Sequence, residues 1–169
     1  SVYARFSRAG KEAGFTQQET LDLTESLTKA FKIEGNTTAE VNSTLLQLTQ
    51  SFRSGRIQGE EFRAVSESST LVLEALATEM GVAVGELKEL AANGKITART
   101  LIDGLAKSAN KINEEFSALE PTFAEVGTAI GNAFVRGYED SSLPSYLNVI
   151  KSSIIDAFTP DIPADISKR

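Results

Sequence analysis

The chain has 169 residues, 41% of them apolar and 24% charged, with a formal net charge of −6. That length supports a sizeable core in one or two domains, and that balance excludes a disordered polymer. Cysteine and histidine are both absent, which removes disulfides, thiolate nucleophiles, Cys-based zinc sites and the commonest general base.

In chain order, Val2, Tyr3, Phe6, Ala9 and Ala13 fall at helical spacing before Gly14. Thr16 with Glu19 is a capping box that opens a second helix on Leu23, Leu27, Ala30 and Phe31, stopped at Gly35-Asn36. Thr37 with Glu40 is another box. Behind it Val41, Leu45, Leu48 and Phe52 form an amphipathic stripe whose plain reading is core packing. Phe62 and Val65 open a short helix, predicted to break in the Ser-rich run 66–70. Leu73, Leu76, Ala77 and Met80 resume the period until Gly81, and Gly85 starts a further short helix on Leu87 and Leu90. From Thr97 a longer stripe carries Leu101, Leu105, Ile112, Phe116 and Leu119, which Pro121 ends or bends. Phe123, Val126, Ile130 and Phe134 continue it, and Pro144 leads a last helix on Leu147, Ile150, Ile154 and Phe158. Residues 160–169, with two prolines, read as extended or disordered. No strand pattern appears, so the predicted fold class is all-α: a compact cluster of short and medium helices followed by longer amphipathic ones. The expected division is 1–107, 108–159 and 160–169.

One phrase occurs twice between residues 45 and 105. Ser54-Gly55-Arg56-Ile57 and Asn93-Gly94-Lys95-Ile96 each stand between two helical runs. Gly just past a helix end takes the left-handed conformation without a Cβ penalty, and the Ile after it can fold back onto the last turn. Arg56 and Lys95 then stand near the free carbonyls at the negative end of the helix dipole. Helices this short bury little alone and must pack as a group. The structural motif residues expected are therefore Gly55, Arg56, Ile57, Gly59, Gly81, Gly85, Gly94, Lys95 and Ile96.

Catalytic patterns are weak. Glu60 and Glu61 are adjacent on a helix and point apart, so they cannot flank one substrate bond. Asp22 and Glu25 share a face without a third cation ligand, and both read as solvated surface. Glu67-Ser68 resembles the catalytic Glu of lytic transglycosylases, where burial raises a lone acid. The Gly-Leu-Met-Gln type of stretch that follows it in that family is missing here. The run Gly81–Gly85 lacks the preceding strand and the Gly-Lys-Ser/Thr ending of a phosphate loop. No catalytic, cofactor or metal residue is expected. The basic residues are scattered singly, so no nucleic-acid surface is expected either. No apolar run approaches the roughly 20 residues that cross a bilayer. The chain opens without an initiator Met or signal pattern and reads as a piece of a longer protein.

Several of these phrases carry a family likeness. Ala30-Phe31-Lys32-Ile33 with Gly35, Leu46-Gln47-Leu48-Thr49-Gln50, Ser54-Gly55-Arg56-Ile57-Gln58-Gly59-Glu60-Glu61-Phe62, Gly81-Val82, Gly85-Glu86-Leu87-Lys88-Glu89-Leu90 and Gly94-Lys95-Ile96-Thr97 closely resemble the tape measure domain of tailed-phage and prophage tail proteins. Val2-Tyr3-Ala4-Arg5 and Gly14-Phe15-Thr16 resemble the segment before it. The likeness covers about residues 2–107 and fades after Ile112. The family often has Pro near Ser69 or Thr70, and neither is Pro here. The resemblance implies a helical structural protein of the virion, held inside the tail tube and setting tail length, and present in the host cytoplasm during assembly. Its implied partners are the tail tube, the tail-tip complex, a tail assembly chaperone or another copy of itself. The competing expectations are a cell-wall hydrolase module using Glu67 and a generic helical adaptor.

Overall fold

Helix ends in this chain are set by side chains that the sequence places beside them. The computed structural model describes residues 1–119. They form α1 (Val2–Glu12), α2 (Gln17–Ile33), α3 (Thr38–Ser54), α4 (Gly59–Ser68), α5 (Thr70–Met80), a 3-10 turn (Val84–Glu86), α6 (Leu87–Ala92) and α7 (Ala98–Ser117). No strand occurs among these residues, and the fold is all-α as expected. Both capping boxes form. Thr16 Oγ1 accepts from the Glu19 amide while Glu19 accepts from the Thr16 amide, and Thr37 and Glu40 repeat the exchange. Each box satisfies two amides left free by a first helical turn. The expected helices at 121–134 and 144–158 and the tail 160–169 lie outside the described residues.

The stripes become the core. Leu23, Leu27, Ala30 and Phe31 of α2, Val41, Leu45, Leu48 and Phe52 of α3, and Leu101, Leu105, Ile112 and Phe116 of α7 are all buried. They meet because α2 packs along α7, α1 along α3, α5 against α7 and α3 against α4. Phe52 receives Phe6 and Phe15 edge to face, at 4.8 and 5.4 Å between centroids. A buried side chain of this size contributes about 1.5–3 kcal/mol, so packing rather than propensity holds the short helices. The α5–α7 crossing depends on Gly104, where a Cβ would lie 2.9 Å from the Ala75 carbonyl oxygen. A backbone atom cannot swing aside as a side-chain end can.

Three local expectations are corrected. The predicted break over 66–70 is a single residue, Ser69, with extended backbone; Ser66, Glu67 and Ser68 complete α4. Glu25 is also not plain solvated surface. Lys29, one turn on, is buried, and its ammonium bonds Glu25 and Asn113 Oδ1 (2.7 Å) with the Phe116 ring 5.8 Å away. A buried ammonium needs a counter-charge, and here that contact also fixes the register of α7 on α2. Gly85 sits inside the 3-10 turn ahead of α6, so the short helix begins after it, at Leu87.

Candidate docking surfaces

The two Gly-basic-Ile corners fold against one another. Gly55 ends α3 with φ 74°, and Gly94 follows α6 with φ 66°. The Ile57 amide donates to the Ile96 carbonyl (2.8 Å), the Ala98 amide to the Gly55 carbonyl (3.3 Å), and Arg56 and Thr97 form an antiparallel bridge. Ile57 and Ile96 are fully buried. Arg56 is exposed, with its side chain across Gly94: a Cβ on that glycine would lie 3.2 Å from Arg56 Nη1. Lys95 is exposed on the far corner. Of the remaining motif glycines, Gly81 caps α5 and Gly59 opens α4, both at positive φ. The paired corners thus place α3, α4, α6 and α7 around one small knot of backbone.

A second junction is built differently. At the Ser69 break the carboxylate of Glu34, just past α2, accepts from the amides of Thr70 and Leu71 (both 2.8 Å) and from the Ser69 hydroxyl (3.1 Å). These are first-turn amides of α5, where a carboxylate is also favoured by the helix dipole. Asn36 Nδ2 donates to the carbonyls of Ser68 (2.7 Å) and Phe31 (2.9 Å), and Thr44 and Ser68 share a buried hydroxyl contact at 2.8 Å. The turn between α2 and α3 therefore holds both ends of the break.

The carboxylates weighed for catalysis are dispersed. Glu67 is 68% exposed and ion-paired with Arg63, which also reaches Glu60. Gln18 donates to Asp22, and burial pushes the Asp22 carboxyl above its ordinary range. Glu19 behaves oppositely: Arg99 and the Thr16 amide hold its carboxyl at about 2. Among the described residues no group of three acidic side chains is placed to hold a metal ion, and no helix is long and apolar enough to cross a membrane.

Two surface grooves flank α3. One, of about 370 Å³ between α1 and α3, gathers Arg5, Arg8 and Arg53 with Glu12 beside Leu46. Leu46 is 42% exposed, high for so large an apolar side chain. The other, about 270 Å³ between α3 and α4, carries Glu40, Glu60 and Glu67 with Arg63. Sequence reading found the arginines scattered. Arg5 and Arg8 stand at i, i+3 on one face of α1, and the α1–α3 pairing brings Arg53 beside them. The i, i+3 spacing was a visible signal; the third member was not.

A family model described as "Tape measure protein" matches residues 1–141 of this chain. No curated protein and no solved structure matches it.

Proposed function

Since the chain belongs to the tape measure protein family, a structural family of phage tails, we infer that this segment is a folded docking module used in tail assembly. The family match carries the reading, and a closed helical core supports it. The seven helices among the described residues, turned back on one another mostly at glycines, make a poor ruler, because only an extended helix gains about 1.5 Å per residue. The module is proposed to hold its partners, whether tail tube, tail-tip complex, assembly chaperone or another copy, before length is counted. It would meet them in the host cytoplasm and end in the tube interior. The proposed unit is residues 1–107, with the motif residues Gly55, Arg56, Ile57, Gly59, Gly81, Gly85, Gly94, Lys95 and Ile96 shaping it rather than binding a ligand. The α7 helix runs on past position 107 and buries Ile112 and Phe116 in the same core, so the folded unit reaches beyond that boundary, at least to the end of α7.

Non-enzymatic action belongs to the same proposal. A lone general acid works from a buried, apolar setting, whereas Glu67 is exposed on α4 beside Arg63. Tail morphology tests the reading. The coding sequence for residues 1–169 is deleted in frame, and tails are measured by electron microscopy. Missing or irregular tails are expected. Regular tails shorter by roughly 250 Å would instead identify an extended ruler, and unchanged tails would overturn both. A peptidoglycan zymogram with Glu67→Gln as control separates the hydrolase alternative.

A further inference from the structure

We propose that the arginine groove between α1 and α3 docks the acidic groove between α3 and α4 of a second copy of this chain. The first groove presents three guanidiniums against one carboxylate, a balance of +2. The second presents three carboxylates against one guanidinium, a balance of −2. The arginines of the first groove are uncommitted: Arg5, Arg8 and Arg53 make no ion pair among the described residues. By contrast Arg63, Arg99, Lys107 and Lys111 each face a carboxylate. Positive charge that finds no carboxylate partner among the described residues, on a chain of net charge −6, has a complement of matching size in the acidic groove of another copy. Leu46, exposed at the edge of the arginine groove, supplies apolar area to bury at the contact.

The two grooves are different surfaces, so the contact is heterologous. It leaves one groove of each sign free on a pair of copies, and it propagates to a ring or a filament rather than stopping at two. Exposed ion pairs are individually worth about 0.2–1 kcal/mol and are screened by salt. The association is therefore weak, concentration-dependent and lost at high ionic strength. This inference rests on the docking reading for its place in assembly, but its test is made in solution and is independent of tail phenotype.

The test is a charge swap followed by sedimentation velocity on a protein comprising residues 1–169. One variant carries Arg5→Glu, Arg8→Glu and Arg53→Glu; the other carries Glu60→Arg and Glu67→Arg. All five side chains are exposed, and circular dichroism checks that both variants stay folded. Wild type should form species larger than a dimer at about 0.02 M salt and dissociate near 0.5 M. Each variant alone should associate at least about tenfold more weakly, as loss of some three surface pairs implies. Mixing the two should restore association, because each then offers the groove that the other lacks. A monomeric wild type at low salt, variants that associate like wild type, or a mixture that stays monomeric would each overturn the proposal. A labelled single-stranded oligonucleotide is the control ligand. Its binding by wild type and loss with the arginine variant, without self-association, would reassign the groove to phosphate.

Discussion

The paired corners and the Ser69 break are both helix junctions, yet opposite causes make them. At the corners the chain turns because Gly55 and Gly94 adopt left-handed backbone that other residues resist. The neighbouring residues then finish the turn locally. At Ser69 no Gly or Pro forces a turn between Gly59 and Met80; the local signal is only the Ser69 hydroxyl that caps α5 at the Val72 amide, and the break is held from a distance by Glu34 and Asn36. A junction written into its own residues survives the loss of neighbours. One imposed by a neighbour should not.

The largest effect should come from the corner core. Ile57→Ala or Ile96→Ala removes a fully buried side chain from the point where the corners meet, and each should cost roughly 2–5 kcal/mol in chemical denaturation. A cost below about 1 kcal/mol for both would mean that the pairing is incidental to the fold. Proline sharpens the other side. Ser69→Pro is expected to cost about 3 kcal/mol or more. The ring cannot reach φ −159°, and it deletes both the amide that bonds Val65 and the hydroxyl that caps α5. Thr70→Pro, one residue on, occupies the first helical position, where proline is pre-organised. Its predecessor is already extended, as a residue before proline prefers. It loses one hydrogen bond to Glu34 and should stay within about 1 kcal/mol of wild type. That asymmetry also reconciles the family's proline near this point with the Ser-Thr found here.

What was legible in the sequence divides along the same line. Thr16 with Glu19, Thr37 with Glu40, and the glycines after α3 and α6 act within four residues of themselves, and the helices begin and end where those signals stand. The apolar stripes were equally plain, since a period of 3.6 residues needs no knowledge of partners. Contacts across long separations were not legible. Nothing near Glu34 says that it will cap a helix beginning 36 residues later. Nothing near Lys29 says that α7 will bring Asn113 and Phe116 to it. The two corners were each readable, but not that they would bond one another. Of the candidate surfaces, the Arg5–Arg8 spacing was visible, and the groove itself exists only once α1 lies on α3.

Glu34→Ala separates the two junctions more finely. It strips the acceptor from two first-turn amides, and the loss should be about 1–2 kcal/mol, in the range of a helix N-cap. Hydrogen exchange gives the local readout. The Thr70 and Leu71 amides should exchange much faster, while the Ile57 amide, bonded inside the paired corners, keeps its protection. Equal acceleration at both places would show that the junctions unfold as one unit, and the contrast between them would fail.

The smallest effect concerns a local cap reinforced from afar. Glu19 closes the box at the start of α2 and also meets Arg99 of α7 at 2.5 Å. Its carboxyl is held at about 2 rather than its ordinary 4.5, first by the Arg99 hydrogen bond and then by the Thr16 amide. A carboxyl depressed on folding stabilises the native state above its unfolded value. The contribution is complete above about pH 4.5 and fades as pH falls toward 2. Glu19→Gln retains the hydrogen-bonding shape of the box but not the charge. At pH 7 the substitution should cost less than about 1 kcal/mol, because the pair is part-exposed and solvent-screened. On acidification the gap between wild type and variant should narrow to a small remainder near pH 2 and vanish below it. If it stays constant from pH 7 to pH 2, the carboxylate's charge adds nothing, and the cap works through hydrogen-bond geometry alone.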